Sequence, residues 1–174
     1  MLIDVNLLLE YTDWERQKWY ESLRQHGDRI LLTTTGANSD ARFETVGDLV
    51  RHIFSAEKRY VERMSGKPLT DTASLSTENI EGLFNFGRES RKALREFIET
   101  LSAKEWDAPR EYVMMNHPIR ATPKKFIIHV LLHEIRHWAQ IATLLRQNGL
   151  KTDFHDFLFS PVLGGDARLE QVKA

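Results

Sequence analysis

Apolar residues recur at helical spacing in four segments of the chain, and polar or glycine-containing stretches separate these segments. The first segment covers residues 6–26 and ends at Gly27, a residue type that tolerates the left-handed conformation after a helix. This spacing predicts an amphipathic first helix. Its broad apolar face carries Leu7, Leu8, Tyr11, Trp14 and Trp19.

The second and third segments show helical spacing more clearly. Thr45 can cap the second helix, with Asp48 three residues later as in a capping box, and Gly66 with Pro68 ends it. The third helix is expected over residues 80–101. The apolar positions of the second helix are Leu49, Ile53, Ala56, Tyr60 and Met64, and those of the third include Ile80, Leu83, Phe84, Leu94, Phe97, Ile98 and Leu101.

The fourth segment starts at Thr122, has Pro123 at its first helical position, and ends at Asn148 and Gly149. Apolar residues cover most of its circumference, so we expect this helix to lie deep in the molecule or at a subunit contact. The preceding residues 111–121 contain β-type residues and predict a small hairpin.

Together these segments predict a single domain over residues 1–174 with an all-α fold. The architecture is a four-helix bundle with long connections and a small β-hairpin before the last long helix. The connection at residues 28–44 is long and polar, and the tail after Leu150 lacks a clear period. We expect the charged stretch at residues 88–99 to be a solvated helix face.

The charge balance and residue usage narrow the class of protein. The chain has 24 Lys and Arg against 25 Asp and Glu, which argues against a protein that coats nucleic acid or an anionic membrane. It has no cysteine, so disulfides, thiolate metal sites and a cysteine nucleophile are excluded. The longest apolar run, residues 126–132, falls well short of the ~20 residues of a membrane span. We therefore expect a cytoplasmic protein.

Three histidines of the fourth helix are spaced to bind a metal ion. His129, His133 and His137 are four residues apart, so neighbouring pairs share one helix face. The outer two lie roughly 12 Å apart along the helix, which leaves either the 129/133 pair or the 133/137 pair. His52 lies at the edge of the apolar face of the second helix and is the natural third ligand. Three imidazoles with an open position are typical of a catalytic metal site.

Three stretches of the chain resemble the DinB/YfiT-like family of metal-dependent enzymes. They are residues 11–14 (YTDW), residues 45–53 (TVGDLVRHI) continuing to Tyr60, and residues 133–140 (HEIRHWAQ) continuing to Gly149. The resemblance implies that His52, His133 and His137 are the metal ligands. Family members often have Arg-Gly after the last histidine, whereas this chain has Trp138 and Ala139.

The same resemblance implies an activity. The cation, which could be Zn, Ni, Fe or Mn, would activate water for hydrolysis or a low-molecular-weight thiol for S-transfer to a small-molecule substrate. Low-molecular-weight thiols of this kind include bacillithiol, mycothiol and glutathione. The alternative is a non-catalytic stress-response or dimerisation bundle with a vestigial metal site. We expect a homodimer in either case.

Two glutamates fall within apolar helix faces, where an ionised carboxylate needs a partner. Glu134 is a candidate general base, and Glu57 is a candidate acceptor that orients an imidazole; the alternative for both is a structural bond inside the bundle.

Residues 133–137 also match the H-E-x-x-H signature of zinc proteases. Thr143 occupies the place of a third histidine, and the chain lacks a strand-rich half, so we reject a protease.

Overall fold

The computed structural model of the chain describes residues 4–34, 43–114, 116–152 and 156–164. The fold is mostly helical, and the four long helices predicted from the sequence are confirmed, as is the hairpin before the last of them. In chain order the helices are α1 (Val5–His26), α2 (Val46–Met64), α3 (Ile80–Thr100), α4 (Ala103–Trp106) and α5 (Pro123–Gln147), and the strands are β1 (Arg110–Met114) and β2 (His117–Ala121).

Local hydrogen bonds at the helix starts explain where the helices begin. The Thr45 hydroxyl accepts a hydrogen bond from the Asp48 amide at 3.2 Å, and the Asp48 carboxylate accepts one from the Thr45 amide at 3.1 Å, which confirms the predicted capping box. Thr122 caps α5 and Pro123 follows it, as predicted. Helix α3 begins after Asn79, whose side-chain oxygen accepts from the Gly82 amide.

Large aromatic side chains from all four long helices form the centre of the bundle. The Trp19 and Trp138 rings stack with centroids 5.2 Å apart, and both side chains are fully buried. Phe54 and Phe84 pack against this pair, with Phe54 edge-on to the Trp138 ring. Helix α2 thus packs against both α3 and α5, and α1 completes the bundle beside α5.

The two strands form an antiparallel hairpin next to the beginning of α5. Tyr112 pairs with Ile119 across the ladder, and Asn116 in the turn has φ 64°, a left-handed conformation that asparagine tolerates. The Tyr112 side chain is buried and packs edge-on against the Phe126 ring at 4.5 Å, whereas Val113 is exposed. The hairpin therefore covers the first turns of α5.

The connections contain short helical pieces that periodicity did not predict. A 3₁₀ segment, Asp28–Leu32, places Ile30 and Leu31 in the core, and α4 adds one turn before the hairpin. A second 3₁₀ turn, Phe157–Phe159, lies in the tail. Each is too short to show a helical period. Within the described ranges, none of the helices combines the length and apolar character that a membrane crossing requires.

Candidate metal centre

Three histidine side chains from two helices meet between α2 and α5. The Nε2 atom of His133 lies 3.1 Å from His52 Nε2 and also 3.1 Å from His137 Nε2. The donor atoms of all three lie within 4.8 Å of one another. His133 and His137 are one turn apart on α5 and so share a face, and α2 places His52 opposite them. His137 is buried, whereas the other two are half-buried, so the group is accessible from one side.

Hydrogen bonds alone do not account for both 3.1 Å contacts at His133. A neutral imidazole nitrogen carries either one hydrogen or one lone pair, so it serves one in-plane partner. His137 Nδ1 lies 3.0 Å from Gln140 Oε1, which accepts its hydrogen and leaves the lone pair of His137 on Nε2. A cation bound by the three residues would accept the lone pair of each ring.

The spacing of the nitrogens fits one ion. Imidazole nitrogens bind Zn²⁺ at about 2.0–2.1 Å, so two nitrogens on one ion lie at most about 4.2 Å apart. Both 3.1 Å pairs satisfy this limit. All three donor atoms lie within 4.8 Å of one another, so a side-chain movement of roughly half an ångström is enough to bring the third pair within the same limit. The residues present therefore fit a divalent metal.

The surroundings favour the neutral form of the central histidine. Burial, together with the neighbouring His137, His52 and Arg136, lowers the pKa of His133 to about 3. At neutral pH the imidazole therefore keeps the lone pair that a metal ligand needs.

Two residues that the histidine pattern does not reveal complete the surroundings of the site. The Phe43 ring packs on the His52 ring at 4.6 Å and on the His137 ring at 6.0 Å, so it covers one side of the group. The other is Gln140, whose side-chain oxygen contacts His137 Nδ1 at 3.0 Å. Its position three residues after His137 places its side chain within reach of that ring.

Among the described residues, the other histidines lie outside this group. His129, which the spacing alone left open as a ligand, packs against the Tyr60 ring at 5.3 Å, and its ring centroid is 5.8 Å from that of His133. His117 is exposed on β2. His155 lies outside the described residues. The structure thus brings together the 133/137 pair with His52.

Both glutamates of the apolar faces lie in a buried ionic cluster on the core side of α2 and α5. Glu134 accepts hydrogen bonds from Arg16 Nε at 2.5 Å, from Arg91 Nη2 at 2.7 Å and from the Trp138 indole at 3.1 Å. Glu57 accepts from both arginines at 3.0 Å. All four charged side chains are at least nine-tenths buried. This geometry supports the structural interpretation of Glu134 over the general-base interpretation.

The expectation for the charged stretch of α3 was wrong at one position. Arg91 lies among residues 88–99, which were expected to face solvent, yet only 6% of its surface is exposed. It contacts carboxylates of Glu57, Glu134 and Asp13. A run of charges along a helix does not show which member turns inward, because that depends on a partner on another helix. Arg16 was missed for the same reason.

Comparisons with known proteins agree with this fold and identify the family. The sequence model of the DinB family matches residues 1–163. A solved structure, the crystal structure of a DinB-like protein from Bacillus cereus, superposes with a TM-score of 0.63 at 18% identity and covers 84% of this chain and 94% of its own. No curated protein sequence gives a significant match. The profile match extends over nearly all of the chain, and the chain belongs to the DinB family.

Proposed function

We propose that this protein is a metal-dependent enzyme in which His52, His133 and His137 bind one divalent cation. The convergence of three Nε2 atoms from two helices carries this proposal. Three neutral imidazoles leave the charge of the cation uncompensated and leave a coordination position open, as in catalytic sites. A cation held in this way lowers the pKa of a water or thiol that joins it, which supplies a nucleophile near neutral pH.

The surrounding residues support the ligands in distinct ways. Gln140 fixes the tautomer of His137 through the Nδ1 hydrogen, and Phe43 excludes water from the His52 and His137 side of the group. The ionic cluster on the core side of the same two helices fixes α2 and α5 to α1 and α3. The three rings are therefore held in place from outside the site as well as within it.

Two reaction classes fit this site. In hydrolysis, the oxygen of water bonds to the carbonyl carbon of a small ester or amide, the C–O or C–N bond breaks, and the alcohol or amine leaves with a proton from the water. In thiol transfer, the sulfur of bacillithiol, mycothiol or glutathione bonds to an electrophilic carbon and the leaving group departs. Zn, Ni, Fe and Mn all accept imidazole ligands, so the donor set fits each of them.

Metal content is the first test. Elemental analysis of protein purified without chelator should give about one divalent ion per chain, and His137→Ala should lose it because two imidazoles hold a single ion weakly. His129→Ala is the matched control, since it removes a histidine of the same helix that lies outside the group. A parent protein without stoichiometric metal, or equal loss in both variants, would contradict the proposal.

Activity assays then separate the two chemistries from the non-catalytic alternative. The metal-loaded protein is assayed with each thiol plus halogenated or epoxide electrophiles, and separately with ester and amide panels. Turnover that requires a thiol supports S-transfer, and turnover in its absence supports hydrolysis. If the metal-loaded protein is inactive throughout, the bundle with a vestigial site is the better interpretation.

A further inference from the structure

A row of residues on each of two helices leads from the three histidines toward the hairpin. On α5, Lys125, His129, His133 and His137 are each four residues apart and share a face. On α2, the row consists of His52, Ala56 and Tyr60, which are also four residues apart. His52 faces the later end of the α5 row, and Tyr60 contacts its earlier part, so the two rows run side by side in opposite directions.

The seam between these rows widens into an apolar cleft at the hairpin end. The cleft has a volume of about 280 Å³, and Tyr60 and His129 form the wall nearest the metal centre. The Tyr60 ring packs against Phe126 at 5.4 Å and against His129 at 5.3 Å. The complete lining is Tyr60, Met114, Ile119, Ala121, Lys125, Phe126 and His129.

The cleft adjoins the metal centre. The His129 ring, which lines the cleft, lies 5.8 Å from the His133 ring. Ala56, the smallest residue of the α2 row, is partly exposed between His52 and Tyr60, so little side-chain volume separates the two ends of the seam. From His133 to Lys125 the helix rises roughly 12 Å, which sets the length of a molecule that could reach both.

Charge distinguishes the far end of the cleft. Lys125 is the one cationic side chain in the lining, and within the described residues no carboxylate forms an ion pair with it. Its neighbour Lys124, in contrast, pairs with Asp107 at 3.4 Å. A small apolar cavity with a single well-placed charge is the usual form of a small-molecule site.

We propose that this cleft is the substrate-binding pocket of the metal centre and that it takes an elongated molecule with an anionic end. The carboxylate or other anion lies at Lys125, an aromatic or branched aliphatic body fills the space between Tyr60, Ile119 and Phe126, and the reacting group reaches His133. Only one part of this inference rests on the proposed function, namely that the reacting group reaches the metal centre at His133. The cleft and its charge exist without a metal.

Methyl NMR with 3-phenylpropionate as the probe tests the pocket. In metal-free protein, the probe should shift the methyl signals of Met114 and Ile119 through the ring current of its phenyl group, with a dissociation constant in the millimolar range. Ile119→Asp should weaken binding about tenfold or more, because it places a charge against an apolar body. Lys125→Gln should weaken binding several-fold, and 3-phenylpropylamine should not bind.

Two matched variants serve as controls. Val113→Asp adds the same charge to the other face of the hairpin, and Lys124→Gln removes a neighbouring charge outside the cleft. Both should bind the probe as the parent does. Absence of binding to the parent, equal weakening in the controls, or binding of the amine as tightly as the acid would overturn the proposed pocket. Lys125 is exposed, so its substitution should not disturb folding. The Lys125→Gln variant therefore still tests the pocket if Ile119→Asp fails to fold.

Loading the protein with Co²⁺ tests whether the cleft serves the metal centre. Paramagnetic relaxation falls steeply with distance, so the ring protons opposite the side chain of the bound probe should relax faster than its methylene protons. The opposite order would place the carboxylate on the metal and overturn the assignment of Lys125. Metal content is measured separately, so a protein that binds the probe but no metal contradicts the proposed function and leaves the pocket intact.

Discussion

At the scale of single residues, the contact between Gln140 and His137 decides which ring nitrogen is available to a cation. An amide oxygen accepts but does not donate, so Gln140 Oε1 at 3.0 Å keeps the hydrogen of His137 on Nδ1. His137 is the most buried of the three histidines, and its contact with the exposed Gln140 is partly buried. Partners of this kind hold a ligand ring in orientation and raise its basicity.

We expect Gln140→Ala to weaken metal binding by about 10- to 100-fold, because the ring loses its fixed tautomer. Gln140→Glu keeps an acceptor in place and should bind at least as tightly as the parent. Competition against a chromogenic chelator measures the affinity. Gln147→Ala, an exposed change on the last turn of the same helix, is the control. Equal affinity of the alanine variant and the parent would show that Gln140 does not position His137.

A second residue with an unusual setting is Glu15 on α1. Only 4% of its surface is exposed, and its Oε2 atom has no hydrogen-bond partner within the described part of the chain. Burial, together with the negative charge of Glu134, raises the pKa of Glu15 to about 8, and the Trp19 side chain opposes this shift only in part. The folded protein therefore binds a proton here that the unfolded chain releases.

This raised pKa predicts that stability falls as the pH rises from about 4.5 to about 8. In that window the unfolded carboxyl is ionised while the folded one holds its proton, so each step up in pH favours unfolding. Glu15→Gln removes this dependence and should exceed the parent in stability at pH 8.5 by something on the order of 3 kcal/mol. At pH 4.5 the two should differ little. Urea unfolding with a chelator present measures the stability of the parent and of the variant at each pH. Identical pH profiles for the two proteins would contradict the prediction.

At the scale of the elements, a close backbone approach fixes where α2 starts. A Cβ atom on Gly47 would lie 2.0 Å from the Thr77 carbonyl oxygen, and because this atom belongs to the backbone it cannot simply rotate away. Gly47 lies on the first turn of the helix that carries His52. The segment before α3 therefore packs directly on the beginning of α2, and glycine allows it to do so.

Gly47→Ala should accordingly destabilise the protein by about 1–3 kcal/mol, although alanine favours helices more than glycine does. Gly82→Ala is a suitable comparison, since its new Cβ would meet the end of the Asn79 side chain at 3.0 Å rather than backbone. Urea unfolding of the two variants should show the larger loss at Gly47. A stabilised Gly47→Ala protein would mean that the approach of Thr77 does not constrain α2.

The sequence predicts helix starts well, because contacts between nearby residues determine them. It predicts side-chain orientations less well where contacts with other helices determine them. Thr45 with Asp48, and Thr122 with Pro123, mark helix starts through contacts within four residues. His52 was predictable as the companion of the α5 pair from its place at the edge of an apolar face, and the family resemblance supported it. The inward orientation of the Arg91 side chain was not predictable, because the carboxylates that it contacts come from three other helices.

At the scale of the whole molecule, the buried ionic cluster connects the four long helices. Arg16 comes from α1, Glu57 from α2, Arg91 from α3 and Glu134 from α5. Two positive and two negative charges balance within it. Glu134 follows His133 directly in sequence, so the cluster and the histidines lie on different faces of the same helix. By fixing the rotation of that helix, the cluster holds the histidine pair toward α2.

Glu134→Gln separates this structural role from the general-base role. The amide has one acceptor oxygen where the carboxylate has two, so it cannot accept all the hydrogen bonds that Glu134 accepts from Arg16, Arg91 and Trp138. It also leaves buried positive charge unpaired, so unfolding should become easier by about 3–5 kcal/mol. While the variant is folded, its metal content should stay close to that of the parent. The pH dependence of its turnover, measured on whichever substrate proves active, should also match that of the parent. Glu96→Gln, which breaks only the exposed pair with Lys92, should change stability by less than about 0.5 kcal/mol. A variant of parental stability that loses turnover by a factor of about 100 or more would instead place Glu134 in proton transfer, since that is the loss expected for a general base.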